Sequence, residues 1–210
     1  MSISVPLHAP LRLKDIADSH RTGEICLDAL VSESTYEIQQ LANVLFSLPG
    51  FLAALDSASH YSPVDGRPLY TLSLSSSHCH RITLLGIPEG VRIPLHDHPE
   101  MVSIMLFLSG RIYSPRYQLV SGRNEYRVVE LSRCTEQIHS AHDIVVMTPD
   151  SGNLHSLEAI STQAVCLSIQ ISTQSRLNSQ SFYFPAQHNS SDNTHGLWHR
   201  VQLREPFQNV

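Results

Sequence analysis

The stretch GVRIPLHDHPEMVSIMLFLSG, residues 90–110, carries the strongest local signal in this sequence. It contains a His-x-His pair, His96 and His98, followed by an apolar, strand-like run that ends at Gly110. Residues two apart on a strand project from the same face, so both imidazoles can serve one metal ion. The pair is weak evidence by itself, because two ordinary histidines on a polar face give the same pattern.

A second segment, MTPDSGNLHSLEA at residues 147–159, places His155 directly after a Pro–Gly turn. Together the two segments resemble the two-part pattern of the cupin superfamily, Gly-x5-His-x-His followed later by Pro-x2-Gly-x2-His. The resemblance implies that His96, His98 and His155 lie on neighbouring antiparallel strands of a jelly roll. We therefore expect a three-histidine metal site inside a small β-barrel.

The rest of the chain fits one domain with an all-β cupin double-stranded β-helix and short N-terminal helices. We expect residues 1–60 to form a helical extension packed on a barrel of residues 61–210. The clearest helix runs from Ser34, a candidate N-cap, to Ser47, with helical turns near 11–16, 26–31 and 51–58. Turn residues then separate short β-type runs without intervening helices. The expected strands lie near 67–75, 79–87, 91–95, 101–108, 111–119, 125–132, 143–147, 154–160, 164–172 and 180–184.

Composition excludes several classes of protein. The 210 residues carry a net charge of −5 without a basic stripe, so we expect no nucleic-acid partner. No apolar run approaches the length of a membrane span, and the N-terminal residues lack a signal-peptide core. The 4 cysteines form no CxxC pair, which favours a reducing compartment. We expect a cytoplasmic monomer.

The metal ligands predicted from this two-part pattern include no carboxylate. Many cupins place a metal-binding glutamate seven residues before the glycine that closes the first motif, and Ser103 occupies that position here. Glu100 is too close to His98 to replace it. Three neutral imidazoles leave coordination positions open, as catalytic sites do, and they suit iron, zinc or nickel.

The longer stretch LLGIPEGVRIPLHDHPEMVSIMLFLSGRIYSPRYQL, residues 84–119, resembles the 2-aminoethanethiol dioxygenase and plant cysteine oxidase family. The family's GNIH matches GNLH at 152–155, and its closing tyrosine-rich strand is similar to QSFYFPAQ at 180–187. The resemblance implies a non-haem Fe(II) enzyme that adds O2 to a thiol, giving a sulfinic acid. Family substrates are cysteamine and the N-terminal cysteine of certain proteins, whose oxidation serves oxygen sensing.

The sequence departs from the family at the penultimate strand, AVCLSIQISTQSR. Ser168 or Leu167 stands where the family has an aspartate that could pair with a substrate amine, and a Pro-Pro-Tyr turn is missing. Three hypotheses remain open: a thiol dioxygenase with a different thiol, a cupin enzyme acting on a non-thiol substrate, and an inactive cupin that binds a metal or ligand.

Other residues are secondary candidates for the site. Tyr183 and Arg81 could reach the pocket as catalytic residues, and Asn153 could set the tautomer of His155. The pair His78 and His80 could touch substrate or bind a second metal. Two further predictions concern residues outside the site: His139 and His142 on a polar surface turn, and Cys79 and Cys166 as small buried strand residues.

Overall fold

The structure is a computed structural model that describes residues 12–47, 59–61, 68–121, 127–151, 153–174, 180–186 and 195–202. Within these residues, two helices, α1 (Leu13–Arg21) and α2 (Leu27–Ser47), precede a series of strands. The strands are β1 (Ser59–Tyr61), β2 (Pro68–Ser76), β3 (His80–Pro88), β4 (Arg92–His96), β5 (Met101–Ser109), β6 (Arg111–Ser121), β7 (Val128–Ser140), β8 (Ile144–Met147), β9 (Leu154–Ala159), β10 (Gln163–Ser172), β11 (Ser181–Pro185) and β12 (His195–Gln202).

The strands form two antiparallel sheets. The first has the order β1-β2-β3-β10-β5-β8, and the second has the order β11-β12-β7-β6-β9-β4, in which β11 also pairs with β4. Non-consecutive neighbours such as β4 and β9 bring distant segments together, as in a jelly roll. The prediction of an all-β jelly roll with N-terminal helices is confirmed.

Strand β10 separates two hydrophobic cores because its side chains alternate between the two faces of the first sheet. Val165 and Leu167 pack with residues of α1 and α2. Ala164 and Cys166 pack between the sheets. Side chains on this second, inner face share the barrel interior with the histidine motifs.

Helix α2 begins earlier than the sequence indicated. It starts at Leu27, so Ser34 lies within the helix and is not its N-cap. Ser34 is fully buried, and its hydroxyl has no hydrogen-bond partner among the described residues. The apolar positions that anchor α2 continue towards its N-terminus through Leu30, and this burial outweighs the capping preference of serine. The turn expected at 51–58 lies outside the described residues.

The ten expected strands overlap β2 to β11, but strand β7 is much longer than expected. It continues to Ser140 because residues 128–140 pair along β6, with register shifts that absorb the irregular pattern. His139 is therefore a buried strand residue stacked on Phe107, and the prediction that it lies on a polar surface turn is wrong. His142 is exposed as expected. Strands β1 and β12 were not expected.

No helix in the described part of the chain is long and apolar enough to cross a membrane.

Candidate metal centre

The two histidine motifs meet across neighbouring strands. His96 ends β4 and is the register partner of His155 on β9. On the other side of β4, Phe182 of β11 pairs with His96 and stacks on its ring at a centroid distance of 5.7 Å. The antiparallel order therefore places residues from three distant segments around one point.

His98 follows β4 in an irregular segment, and Asn153 fixes its main chain. The backbone N–H of His98 donates to Oδ1 of Asn153, two residues before His155. The Asn153 side-chain amide also donates to the carbonyl of Pro149. Asn153 thus ties the two motifs together through the backbone of His98, whereas the sequence suggested a contact with the ring of His155.

The three imidazoles form a compact set of nitrogen donors. One ring nitrogen from each of His96, His98 and His155 lies within 4.8 Å of the others. The Nε2 atoms of His98 and His155 are 3.0 Å apart. Exposure is 6% for His96, 3% for His98 and 1% for His155, so the cluster is shielded from bulk water.

Hydrogen bonds at the other ring nitrogen orient two of these rings. His96 donates from Nδ1 to the carbonyl of Pro94 at 2.8 Å, which leaves the Nε2 lone pair free. Nδ1 of His98 lies 2.9 Å from the amide of Gln180 and 3.4 Å from that of Gln170. An amide rotated by a half turn presents its oxygen to Nδ1–H from the same place, because oxygen and nitrogen are nearly isosteric.

Burial keeps the three rings neutral. Desolvation lowers the pKa of His96, and it lowers the pKa values of His98 and His155 well below 6.5. Proximity of the rings adds to the shift for His98 and His155, since a second positive charge would be repelled. Neutral imidazole is the form that binds a metal ion.

These residues fit a divalent metal ion. A 3.0 Å gap between two Nε2 atoms matches two ligands at right angles, each about 2.1 Å from one ion. Ser103, at the position where many cupins have a glutamate, is fully buried and its Oγ has no partner among the described residues. Among the described residues the donor set is three histidines without a carboxylate, which would leave the ion's charge for an anionic ligand to neutralise.

Asp97 lies between the two histidines of the first motif, but it joins a different network. Its carboxylate accepts hydrogen bonds from the Tyr183 hydroxyl at 2.7 Å and from the Ser181 backbone N–H at 2.7 Å. The Arg200 guanidinium lies 3.7 Å away. Burial and the Asp97 charge raise the pKa of Tyr183. The hydroxyl of Tyr183 is thus bonded to the segment that carries two of the ligands.

Arg81 is placed differently from Tyr183. It is the register partner of Gln170, so both side chains leave the inner face of the first sheet. Gln170 in turn approaches His98. Arg81 therefore lies one strand away from a residue that contacts the histidine cluster.

Gln170 and Gln180 are site residues that sequence reasoning missed. At the altered penultimate strand the sequence pointed to Ser168 and Leu167, but Leu167 packs against the helices. Counting two residues on from Ser168, with strand alternation, would have identified Gln170. Gln180 carries no comparable signal, because it lies just before β11 and reaches His98 only through tertiary packing.

The remaining histidine and cysteine candidates are not part of the three-histidine cluster. His80 is buried with its two ring nitrogens next to the hydroxyls of Ser75 and Ser77, and His78 is exposed. Cys79 and Cys166 are buried, as expected. Desolvation raises the pKa of the Cys166 thiol to about 12, so it is not a nucleophile at neutral pH.

Similar solved structures are distant ones. The cupin domain of Schizosaccharomyces pombe Cnp3 shares 17% identity at a TM-score of 0.39, over 50% of this chain and 61% of that domain. A cupin-like protein from Thermotoga maritima shares 17% at 0.40, over 58% of this chain and 80% of that one. A predicted oxalate decarboxylase, also from Thermotoga maritima, shares 18% at 0.39, over 54% and 90%. No curated protein matches the chain in sequence.

A family model is more informative than these structures. The model described as PCO_ADO matches residues 54–196, which is more than half of the 210 residues. The matched span begins after α2 and contains both histidine motifs, Gln170 and Gln180. Its members are metal-dependent, in keeping with the histidine triad. The chain belongs to the plant cysteine oxidase / cysteamine dioxygenase family.

Proposed function

We propose that this protein is a thiol dioxygenase that uses Fe(II) held by His96, His98 and His155. The reaction is R–SH + O2 → R–SO2H. Sulfur loses four electrons, the two oxygen atoms gain them, and both atoms end in the sulfinic acid. The observation that carries the proposal is the cluster of three buried, neutral histidines without a carboxylate in a chain of this family.

The chemistry of the donor set supports a thiol substrate. A ferrous ion at this site would supply a binding position for thiolate and the redox chemistry with O2. The protein would contribute three neutral ligands, a dry surrounding and fixed ring orientations through Pro94, Asn153 and the glutamine amides. An anionic thiolate offsets the positive charge that these neutral ligands leave in place.

We propose supporting roles for the two catalytic candidates. Tyr183 acts as a positioning residue, since its hydroxyl holds Asp97 and thereby the segment between His96 and His98. Arg81 contacts the substrate side of the pocket from the inner face of β3. Retained thiol oxidation with lowered thermal stability in Tyr183→Phe would distinguish positioning from direct contact with substrate.

The first test measures iron and oxygen together. Protein loaded anaerobically with Fe(II) is assayed for bound metal and for O2 uptake with cysteamine, free cysteine and a peptide that begins with cysteine. We expect about one iron per chain, thiol-dependent uptake, and loss of both in His155→Ala. Bound iron without uptake for any thiol would favour a non-thiol cupin enzyme, and failure to bind metal would favour an inactive ligand-binding cupin.

The cysteines bear on the location of this activity. Cys26, Cys79, Cys134 and Cys166 are free. Unpaired thiols persist in reducing compartments, so we propose that the protein acts in the cytoplasm on a small thiol or a protein N-terminus. A redox-sensitive fusion that reports an oxidising environment would contradict this location.

A further inference from the structure

The inner face of the barrel beside the histidine cluster carries positive charge at Arg116. This residue lies on β6 and is the register partner of His155 on β9. Register partners leave the same face of a sheet with Cβ atoms about 5 Å apart. Further along the same two strands, Ile112 pairs with Ala159 in the core between the sheets, which fixes this face as the inner one.

His139 on β7 is the register partner of Ile112, so it leaves the same inner face as Arg116. The charge of Arg116 contributes to lowering the pKa of His139, the histidine stacked on Phe107. His139 on β7 and His155 on β9 therefore flank β6 on the face from which Arg116 projects. The Arg116 side chain therefore leaves the sheet beside His155, on the face that carries the proposed thiol site.

Three buried polar atoms of inward-facing strand residues have no hydrogen-bond partner among the described residues. They are Nε of Arg116, Nε2 of His139 and Oγ of Ser103. Ser103 is fully buried and His139 is 7% exposed. An unpaired buried donor is costly, most of all on a cation, so a ligand that satisfies these groups would be bound favourably.

Among the described residues of strands β3, β5, β6, β9 and β10, none places an acid on this face. Strands β3, β5, β6, β9 and β10 contain one acidic residue, Glu158. Glu158 lies on the outer face, where it is hydrogen-bonded to Arg92. The second inner cation, Arg81, already has an interaction partner within the fold. A substrate ammonium group would meet cations here, whereas a carboxylate would meet the donor that lacks a partner.

We propose that Arg116 binds a carboxylate of the substrate, so that this enzyme acts on small thiol carboxylates in preference to thiol amines. The inference rests on the proposed function and narrows its substrate class. Guanidinium and carboxylate form charge-assisted hydrogen bonds, and a site that buries them discriminates strongly against substrates that lack the acid. The nearness of Arg116 to His155 favours a short spacer between the thiol and the carboxylate.

A series of short thiols that differ in the head group tests the inference. Cysteamine carries an ammonium group, 3-mercaptopropanol a neutral hydroxyl and 3-mercaptopropionate a carboxylate. With iron-loaded protein we expect the lowest KM for 3-mercaptopropionate and the highest for cysteamine. Arg116→Gln should raise the KM for 3-mercaptopropionate relative to 3-mercaptopropanol about 10- to 100-fold, the range of a lost charge-assisted bond.

Control variants distinguish a loss of carboxylate recognition from a loss of folding. Arg111→Gln removes the same charge from an exposed position on the same strand and should leave the KM ratio as it is. Arg116→Lys keeps a cation and should retain part of the selectivity. Anaerobic calorimetry gives a second readout without turnover: 3-mercaptopropionate should bind the wild-type protein and bind Arg116→Gln more weakly by the same factor.

The outcomes distinguish the two proposals. If none of the three thiols is oxidised by protein that binds iron, the proposed function fails. If the thiols are oxidised but cysteamine is preferred, or if Arg116→Gln shifts KM equally for the carboxylate and the alcohol, only the substrate inference is overturned. If Arg116→Gln does not fold, the wild-type preference and the Arg116→Lys calorimetry still decide the question.

Discussion

Of the three proposed metal ligands, His98 has the most extensive side-chain support among the described residues. Gln180 and Gln170 converge on its Nδ1 from positions 82 and 72 residues away in the chain. Contacts that fix the other ring nitrogen of a metal-binding histidine set both its tautomer and its orientation. We therefore expect the two glutamines to affect metal binding through His98.

Replacing Gln180 with leucine should weaken metal binding. The ring of His98 would lose its nearer partner, and such losses typically reduce metal affinity about 10- to 100-fold. Competitive titration against a chromophoric chelator measures the change. Gln180→Glu keeps an acceptor for Nδ1–H and should retain affinity, and Gln137→Leu, at an exposed position of β7, is the matched control. Equal affinity in Gln180→Leu and wild type would contradict the assigned support.

The clustering of the three histidines was predictable from the sequence, and the residues that support them were not. His96, His98 and His155 could be predicted from local spacing, because strand alternation and a Pro–Gly turn depend only on neighbouring residues. Gln180 was not singled out, and Asp97 was recognised only as part of the His-Asp-His motif. Its bonds to Tyr183 and Ser181 join residues more than 80 positions apart. Only the folded chain brings these groups together.

At the scale of elements, the turn between β5 and β6 depends on Gly110. Its φ is +74°, and a Cβ there would lie 2.2 Å from the carbonyl oxygen of Gln163 at the start of β10. The backbones of two strand ends thus approach too closely for any side chain. This is the physical reason for glycine at the end of the first motif.

Gly110→Ala should destabilise the fold by about 3 kcal/mol, from backbone strain together with overpacking. Gly90→Ala is the matched control, because Gly90 has a φ of +70° but a Cβ there would have no neighbouring atom within 4 Å. Gly90→Ala should lower the free energy of unfolding by only about 1 kcal/mol. Urea unfolding measures the loss of stability in both variants. Equal losses would show that the contact with Gln163 does not add to the cost of Gly110→Ala.

For Ser34 in helix α2, the N-cap interpretation and the structure predict stability changes of opposite sign. If Ser34 were an N-cap, Ser34→Ala would cost about 1 kcal/mol. Because its buried hydroxyl has no partner among the described residues, we expect Ser34→Ala to raise the free energy of unfolding by about 1 kcal/mol. Ser32→Ala, on the exposed face of the same helix, measures the helix propensity alone. A loss of stability in Ser34→Ala would contradict the structure.

Elements were predictable where one local pattern dominated. Ten strands were expected near β2 to β11, since apolar alternation and turn residues delimit them. The start of α2 was wrong because a serine inside a helix looks like a cap when only its neighbours are considered. The end of β7 was missed because polar residues such as Thr135 and Gln137 continue the strand through pairing with β6.

At the scale of the molecule, buried histidines couple stability to pH. The pKa values of His98 and His155 are well below 6.5 in the folded protein and near 6.5 when unfolded. Below pH 6.5 the unfolded chain therefore binds more protons than the folded one. The stability from these neutral rings is fully present above that pH and is lost as pH falls.

Metal-free protein should accordingly unfold more easily at pH 5.5 than at pH 7.5. Each such histidine contributes at most about 1.4 kcal/mol per pH unit to this slope. Denaturant titration in the presence of a chelator measures it, and His155→Gln should have a shallower slope than wild type. His142→Gln, at an exposed turn, is the control. Identical slopes for His155→Gln and wild type would show that burial of this ring does not control the pH response.

The central claim is that the three-histidine centre adds both atoms of one O2 molecule to a thiol. Mass spectrometry of the products after incubation of iron-loaded protein with a thiol under oxygen-18 gas tests it most directly. We predict a sulfinic acid in which both added oxygen atoms carry the label, formed by wild-type protein and not by His155→Ala. A disulfide as the only thiol product, or label equal in the presence and absence of His155, would contradict the claim.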